Sequence, residues 1–370
     1  MSCRVAVLAF ADATRDGRTL NICRTLAPYA HVVLWNLALP PADREWVWRT
    51  VAIPSHGRVL WRWALFVVRF LWQTRSERYK VVWAADVYCL LPAVILRWCT
   101  GARVVYDSRE LYSSLASLAK RPIAQRLQSL YERVLVRWVH RVVVSGERDA
   151  DELVRSLGLV IRPLVVMNVP FYAEPQRNNR LRQSCCTQSD EVILLYQGVL
   201  TAGRGLFRAV EAIALLPQMH LCILGDGSFG SAITEYAKRF GVANRVHLLG
   251  SVPYNELLQW TASADVGWCW IEPLSHSYQL ALPNKLFEYA MARLPVIASD
   301  LPAIAEVLER FPFGECMSTT ATAIELAATL ERILAAAPQY RQWADRAARQ
   351  YCYERQQPAI RQLVEELCRR

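Results

Sequence analysis

The chain has 370 residues, of which 53% are hydrophobic and 21% charged, and its net charge is +10. That length suits two or three domains, and that composition excludes a disordered or collagen-like chain. No run of about 18 apolar residues marks a membrane span.

The longest uncharged stretch, 25–42, carries His31, Asn36 and three prolines and reads as turn-rich folded chain. The sequence opens on a strand-like run at 4–10, without the apolar region and small-residue cleavage site of a secretory signal. Eleven cysteines with no Cys-x-x-Cys pair predict free thiols in a reducing compartment, with no disulfide frame and no zinc site. Residues 1–180 hold 26 Lys and Arg against 14 Asp and Glu, whereas 181–370 hold 17 against 19. Nine of the 13 tryptophans also fall in the first half. The asymmetry points to an anionic partner for that half, or to a basic surface that merely keeps the protein in solution. No nucleic-acid recognition motif accompanies it, so no nucleic-acid partner is expected.

Short β-branched runs at 4–10, 31–35, 80–85, 102–107, 141–145 and 163–167 alternate with amphipathic stretches such as 120–140 and 147–157. Such alternation predicts a mostly parallel sheet with helices on both faces. The polar stretch 172–190 interrupts the pattern and reads as a linker. A second series follows, with strands predicted at 192–197, 219–225, 245–250, 264–268 and 294–299, and helix from 319 to a last segment at 355–370. Two doubly wound α/β domains in tandem result, with a ligand expected in a cleft at the carboxyl ends of their strands.

Three segments carry candidate chemistry. In YQGVLTAGRGL (196–206) a strand meets a Gly-rich turn and a helix start, with Gly198, Gly203 and Gly205 around Arg204. Backbone N–H groups and a guanidinium there form an anion site suited to a diphosphate, or the turn is simply a tight connection. In LGDGSFG (224–230), Gly225 and Gly227 would let a ligand approach the backbone. The glycines there open the second strand–helix unit of their domain, and no acidic residue follows at the distance a dinucleotide ribose needs, which disfavours a dehydrogenase. In PNKLFEYAMARLPVIASD (283–300), Asn284 opens a helix on which Lys285 and Glu288 share one face. Glu288 can accept the hydroxyl hydrogens of a ribose and Lys285 can meet phosphate, or the two form an ordinary surface ion pair.

These three segments resemble the signature regions of the retaining glycosyltransferases of family 4, the group 1 glycosyl transferases of GT-B fold. VVYDSRELYS (104–113) and VVMNVP (165–170) resemble first-domain segments of one branch of that family. The resemblance is strong over 192–300 and weak over 1–100. It implies a GT-B architecture: an acceptor-binding Rossmann-like domain at 1–175, a linker at 176–190, a nucleotide-sugar-binding Rossmann-like domain at 191–352, and a C-terminal helix at 353–370 packing back on the first domain. It also implies retaining transfer of a sugar from a nucleotide-diphosphate sugar to a glycan or lipid-linked acceptor, with no cofactor beyond the donor and no metal.

By that resemblance Arg204 and Lys285 stabilise the leaving diphosphate, Glu288 holds the donor ribose, and Gly198, Gly203, Gly225, Gly227 and Asn284 line the donor. Asp107 and Glu110 would face the acceptor, with Arg109 between them. The family pattern has His at that position; Arg109 cannot act as a base, and serves either an anion or a structural salt bridge. Two further positions depart from the pattern: Leu280 replaces the carboxylate that usually faces the donor sugar, and Val199 replaces a basic residue of the phosphate loop. Backbone N–H groups of 275–281 are the expected substitute for the missing carboxylate. A non-catalytic subunit of a glycosylation complex and a nucleotide-sugar 2-epimerase remain as alternatives. A cytoplasmic location is expected, peripheral on the inner face of the membrane. The segment RVLWRWALFVVRFLW (58–72) places Arg58, Arg62 and Arg69 on one helical face beside Trp61, Leu65, Val68 and Trp72, which suits either an anionic membrane surface or packing on the sheet.

Overall fold

A computed structural model describes residues 3–41, 45–115 and 121–369. Lys120, the first residue of the stretch predicted at 120–140, lies outside them. The chain divides into two compact units, 1–168 with 356–370, and 169–355.

The first unit is built on seven parallel strands: β1 (Arg4–Leu8), β2 (His31–Asn36), β3 (Val47–Thr50), β4 (Val81–Ala84), β5 (Arg103–Ser108), β6 (Arg141–Val144) and β7 (Leu164–Val165). Their order is β3-β2-β1-β4-β5-β6-β7. The central runs are Val-rich and buried on both faces, as a parallel sheet covered by helices requires. Helices α1 (Gly17–Leu26), α2 (Val59–Thr74), α3 (Leu90–Thr100), α4 (Pro122–Leu135) and α5 (Glu147–Leu157) make the crossovers. Phe66 and Phe70 of α2 pack into the core with Trp35. Strand order reverses between β1 and β4, so the loops leaving their carboxyl ends form the switch point where α/β sheets place ligands.

The second unit repeats the plan. Helix α6 (Arg180–Cys185) precedes β8 (Val192–Gln197), α7 (Leu206–Ala214), β9 (Met219–Leu224), α8 (Gly230–Arg239), β10 (Val246–Gly250), α9 (Tyr254–Thr261) and β11 (Val266–Cys269). The short α10 (His276–Gln279), α11 (Asn284–Met291), β12 (Val296–Ser299), α12 (Pro302–Arg310), β13 (Gly314–Met317), α13 (Ala323–Ala335) and α14 (Ala337–Gln350) follow. The parallel strands run in the order β10-β9-β8-β11-β12-β13, which puts the switch point between β8 and β11. The last helix, α15 (Gln357–Arg369), belongs to the first unit.

Three features differ from the sequence reading. Residues 176–190 are integrated into the second unit: Arg177 and Arg182 both donate to Asp265, at 2.6 and 2.8 Å, and Leu181 is fully buried. Polar composition hid this because the attachment is ionic. Strands β3 and β13 were not anticipated, being four-residue edge strands without an apolar run. Cys3 and Cys368 are paired as a disulfide, with Cα atoms 5.9 Å apart, where free thiols had been expected. The partners lie 365 residues apart, a spacing that carries no sequence signal.

Candidate active site

At the carboxyl end of β8, Gln197 and Gly198 begin the turn that leads to α7, so this loop lies at the switch point of its sheet. The turn and its support depend on four glycines. Gly205 has φ +61°, and a Cβ on it would lie 2.2 Å from the Trp270 ring. Gly225 lets the turn after β9 seat against this loop, since its Cβ would fall 2.0 Å from the Gly198 carbonyl oxygen. Backbone bonds fasten the two turns, from Gly198 N–H to Leu224 O and from Leu200 N–H to Asp226 O, both at 2.9 Å. A Cβ on Gly227 would likewise fall 2.2 Å from Leu200 O. The structure thus gives Gly225 and Gly227 the task of docking the turn that supports the loop. A Cβ on Gly203 would lie 2.8 Å from Leu274 Cδ1, so that glycine too permits close packing.

Helix α11 brings Lys285 and Glu288 to this loop. The Lys285 side chain is buried, its Nζ lies 3.8 Å over the centre of the Tyr196 ring, and among the described residues it has no hydrogen-bond partner. A Cβ on Gly198 would stand 3.5 Å from that nitrogen. Burial pushes the ammonium down to about 7; nearby Arg204 adds to the shift, while Cys269 and Glu288 oppose it. The Arg204 guanidinium lies 5.0 Å over the Tyr278 ring, and among the described residues no carboxylate pairs with it. Its backbone oxygen accepts from Trp268 Nε1 at 3.1 Å, which fixes the loop. Among the described residues no side chain caps the N-terminus of α7 or of α11, where Asn284 is exposed.

Glu288 Oε2 accepts a hydrogen bond from Gln197 Nε2. Thr261 Oγ1 donates to Gln197 Oε1 at 2.8 Å, so the amide is held from behind. Burial raises the Glu288 carboxyl above its usual range, against the opposing pull of Gln197 and Lys285. Sequence reasoning missed Gln197 and Thr261; Gln197 showed only as a polar residue ending the apolar run VILLYQ, and Thr261, at the end of the mixed helix YNELLQWT, carried no signal. Val199 is exposed and Leu280 half-buried. The backbone N–H groups proposed to compensate for Leu280 are largely committed. Tyr278 donates to Ser275 Oγ, Gln279 to Ser275 O, Leu280 to His276 O and Ala281 to Tyr278 O. Glu272 is likewise engaged, through its N–H to Gly203 O at 2.9 Å and its carboxylate 3.9 Å from Arg208.

In the first unit, Asp107 at the end of β5 is fully buried. Arg18 of α1 reaches it with Nε at 3.1 and 3.0 Å and Nη2 at 2.7 Å, while Nη1 donates to Val166 O at 2.6 Å. Arg109 donates to Asp16 Oδ2 and Thr19 Oγ1, each at 2.6 Å, and its Nε lies 3.7 Å from Asp107. Burial works against the Arg109 charge, but Asp107 and Asp16 more than compensate and hold it protonated. Two carboxylates, Asp16 and Asp107, thus balance the two guanidinium groups of Arg18 and Arg109, and the salt-bridge alternative describes Arg109. Asp107 ties β5 to α1 within the interior and is closed to an acceptor. Glu110 is exposed. Asp86, beyond β4, accepts from Cys89 N–H at 2.9 Å, and burial raises its carboxyl. The chain also holds an Asp-x-Asp pair, Asp149 and Asp151 on α5. Ser145 Oγ donates to Asp149 at 3.0 Å, and Arg162 pairs with Asp151 at 2.9 Å. Among the described residues no group of three His, Cys, Asp or Glu could hold a metal ion.

On α2, Trp61, Val68 and Trp72 are exposed, but Arg62 and Arg69 donate to the Pro54 and Ala52 carbonyl oxygens. No helix among the described residues is long and apolar enough to cross a membrane.

Two doubly wound parallel sheets of this order define the GT-B fold, and solved structures with it align over nearly the whole chain. Sucrose-phosphate synthase from Thermosynechococcus elongatus has a TM-score of 0.79 at 15% identity, covering 99% of each chain. HepE from Anabaena, in complex with UDP-glucose, has a TM-score of 0.75 at 16% identity, covering 98% of this chain and 99% of its own. WaaG, a glycosyltransferase involved in lipopolysaccharide biosynthesis, has a TM-score of 0.70 at 18% identity, covering 96% and 98%. Residues 191–336, within the second unit, match the family described as Glycosyl transferases group 1. No curated protein sequence matches the chain.

Proposed function

We propose that this protein is a retaining family 4 glycosyltransferase. It moves a sugar from a nucleotide-diphosphate sugar to a glycan or lipid-linked acceptor, without a metal ion. The observation that carries this reading is a buried, unpartnered Lys285 ammonium near an Arg204 that lacks a carboxylate, beside a Glu288 carboxylate fixed by Gln197. Two cations lacking an anion suit a diphosphate, and a held carboxylate suits the paired hydroxyls of a ribose. The UDP-glucose bound by the structurally similar HepE supports a nucleotide-sugar donor.

As the bond from the anomeric carbon to the diphosphate breaks, negative charge grows on the leaving phosphate. Arg204 and Lys285 stabilise it, and the low-polarity surroundings of Lys285 strengthen that attraction. The acceptor hydroxyl passes its proton to an oxygen of the departing phosphate, so no side-chain nucleophile is assigned. Arg109 acts by holding the first unit's loops. The enzyme works in the cytoplasm at the inner face of the membrane, where lipid-linked acceptors are held.

The test is incubation with UDP-, GDP- and ADP-sugars and a lipid-linked acceptor fraction, with and without chelator, followed by NMR of the product. Transfer with retained anomeric configuration in chelator supports the reading. Inverted product, or activity that vanishes in chelator and returns with Mg²⁺, contradicts it.

A further inference from the structure

Helix α4 turns much of its polar side inward. Beside the buried Leu135 and the half-buried Tyr131, its inward side carries Gln125, Gln128 and Glu132, and Glu132 is only 1% exposed, accepting from Tyr106 OH at 2.6 Å. Its outward side carries Ile123, Leu127, Leu130 and Val134, with Leu127 62% and Leu130 58% exposed. An ordinary surface helix has the opposite arrangement. Over 121–138 the exposed residues number ten, six apolar and four arginines (121, 126, 133 and 137), with no carboxylate among them. Beyond the helix, exposed Trp138 meets exposed Trp98 of α3 edge to face at 5.3 Å.

We propose that the outward face of α4 docks on an anionic lipid bilayer, with its leucines in the acyl boundary and its arginines among the head groups. This deepens the proposed membrane role and rests on it, while moving the principal contact from α2 to α4. Charge selects the occupant. An apolar stripe rimmed only by arginine matches an acidic lipid surface, and paired tryptophans suit the interfacial layer. A second copy of the chain is a poor fit, because a two-fold contact would set one arginine rim against the other. On α2, by contrast, two of the three predicted arginines are turned to backbone carbonyls.

The experiment is co-sedimentation of the full chain with vesicles of phosphatidylcholine, alone or mixed with phosphatidylglycerol, at low and high salt. Binding is expected only to the mixed vesicles and to weaken with salt. Arg126→Gln/Arg133→Gln/Arg137→Gln is expected to weaken it roughly 100-fold. Leu127→Ser/Leu130→Ser is expected to weaken it roughly 10-fold or more. All these side chains are exposed, so thermal unfolding should be unchanged, which keeps a loss of binding interpretable. Undiminished binding of both variants, with loss instead in Val68→Ser/Trp72→Ser, overturns the α4 assignment and leaves a membrane role on α2. No binding at low salt, or a parental dimer that the leucine variant dissociates, also overturns it. Vesicle binding needs no donor and no turnover, so failure of the transferase reading is read separately, from the product assay.

Discussion

Replacing Lys285 by Met should stabilise the fold while removing donor binding. The Lys285 ammonium is buried without a hydrogen-bond partner, and its pKa falls from 10.5 to about 7. Each pKa unit corresponds to about 1.4 kcal/mol, so the folded state bears a penalty on the order of 3–5 kcal/mol. The sign of the pH dependence follows. Between about 7 and 10.5 the unfolded chain holds this proton and the folded chain does not. Unfolding therefore takes up a proton, and stability contributed by this site rises with pH across that window, being lowest below it. Met fills similar space without charge, so the gap between variant and parent should be widest below about pH 7 and shrink as pH rises through the window. Binding of a nucleoside diphosphate reverses the penalty by supplying the missing anion, and it must reprotonate the amine. Calorimetric titration in two buffers of different ionisation enthalpy reads this directly. Uptake of about 0.9 proton is expected at about pH 8 and about 0.1 at about pH 6. Equal uptake at both, or a Lys285→Met variant that is less stable yet still binds, would refute the reasoning.

Three further outcomes follow from the same geometry. Glu288→Ala should weaken nucleoside diphosphate binding roughly 10- to 150-fold with unchanged unfolding, because hydrogen bonds to a charged group contribute about 1.5–3 kcal/mol; isothermal titration measures it. Arg204→Ala should lower kcat by about 100-fold or more, with Arg204→Lys restoring only part, since a lysine lacks the planar fork that grips two phosphate oxygens. Gly225→Ala should cost about 3 kcal/mol in denaturant unfolding, because its Cβ would fall 2.0 Å from Gly198 O, and the supporting turn must shift away from the phosphate loop.

The sheet cores were legible because doubly buried parallel strands read as unbroken Val, Ile and Leu runs. β3 and β13 escaped because edge strands of four residues bury too little to impose a pattern. In the candidate site, Arg204, Lys285 and Glu288 stood out through their position at helix starts after glycine or proline. Their supports did not: Gln197 acts on Glu288 across 91 residues and Arg18 on Asp107 across 89, separations at which sequence carries no periodic signal. The same limit explains Arg109, whose neutralisation by Asp16 depends on the fold bringing α1 beside β5. It also explains the inverted helix α4. Its amphipathic period was visible, but which side faces inward is decided by Tyr106 and the sheet beneath, and the usual rule assigns it the other way.

The central claim is that the turn after β8, with Arg204, Lys285 and Glu288, holds a nucleoside diphosphate. Titration of the full chain with UDP, GDP and ADP tests it most directly, with Glu288→Ala and Arg204→Ala run alongside. The account predicts that one of the three binds with one-to-one stoichiometry and raises the unfolding free energy by about 2.7 kcal/mol at 100 times its Kd. Both variants should show that effect reduced at the same ligand concentration, to about 1.4 kcal/mol or less for Glu288→Ala. Binding of none of the three, or binding that both variants keep at parental affinity, would contradict it.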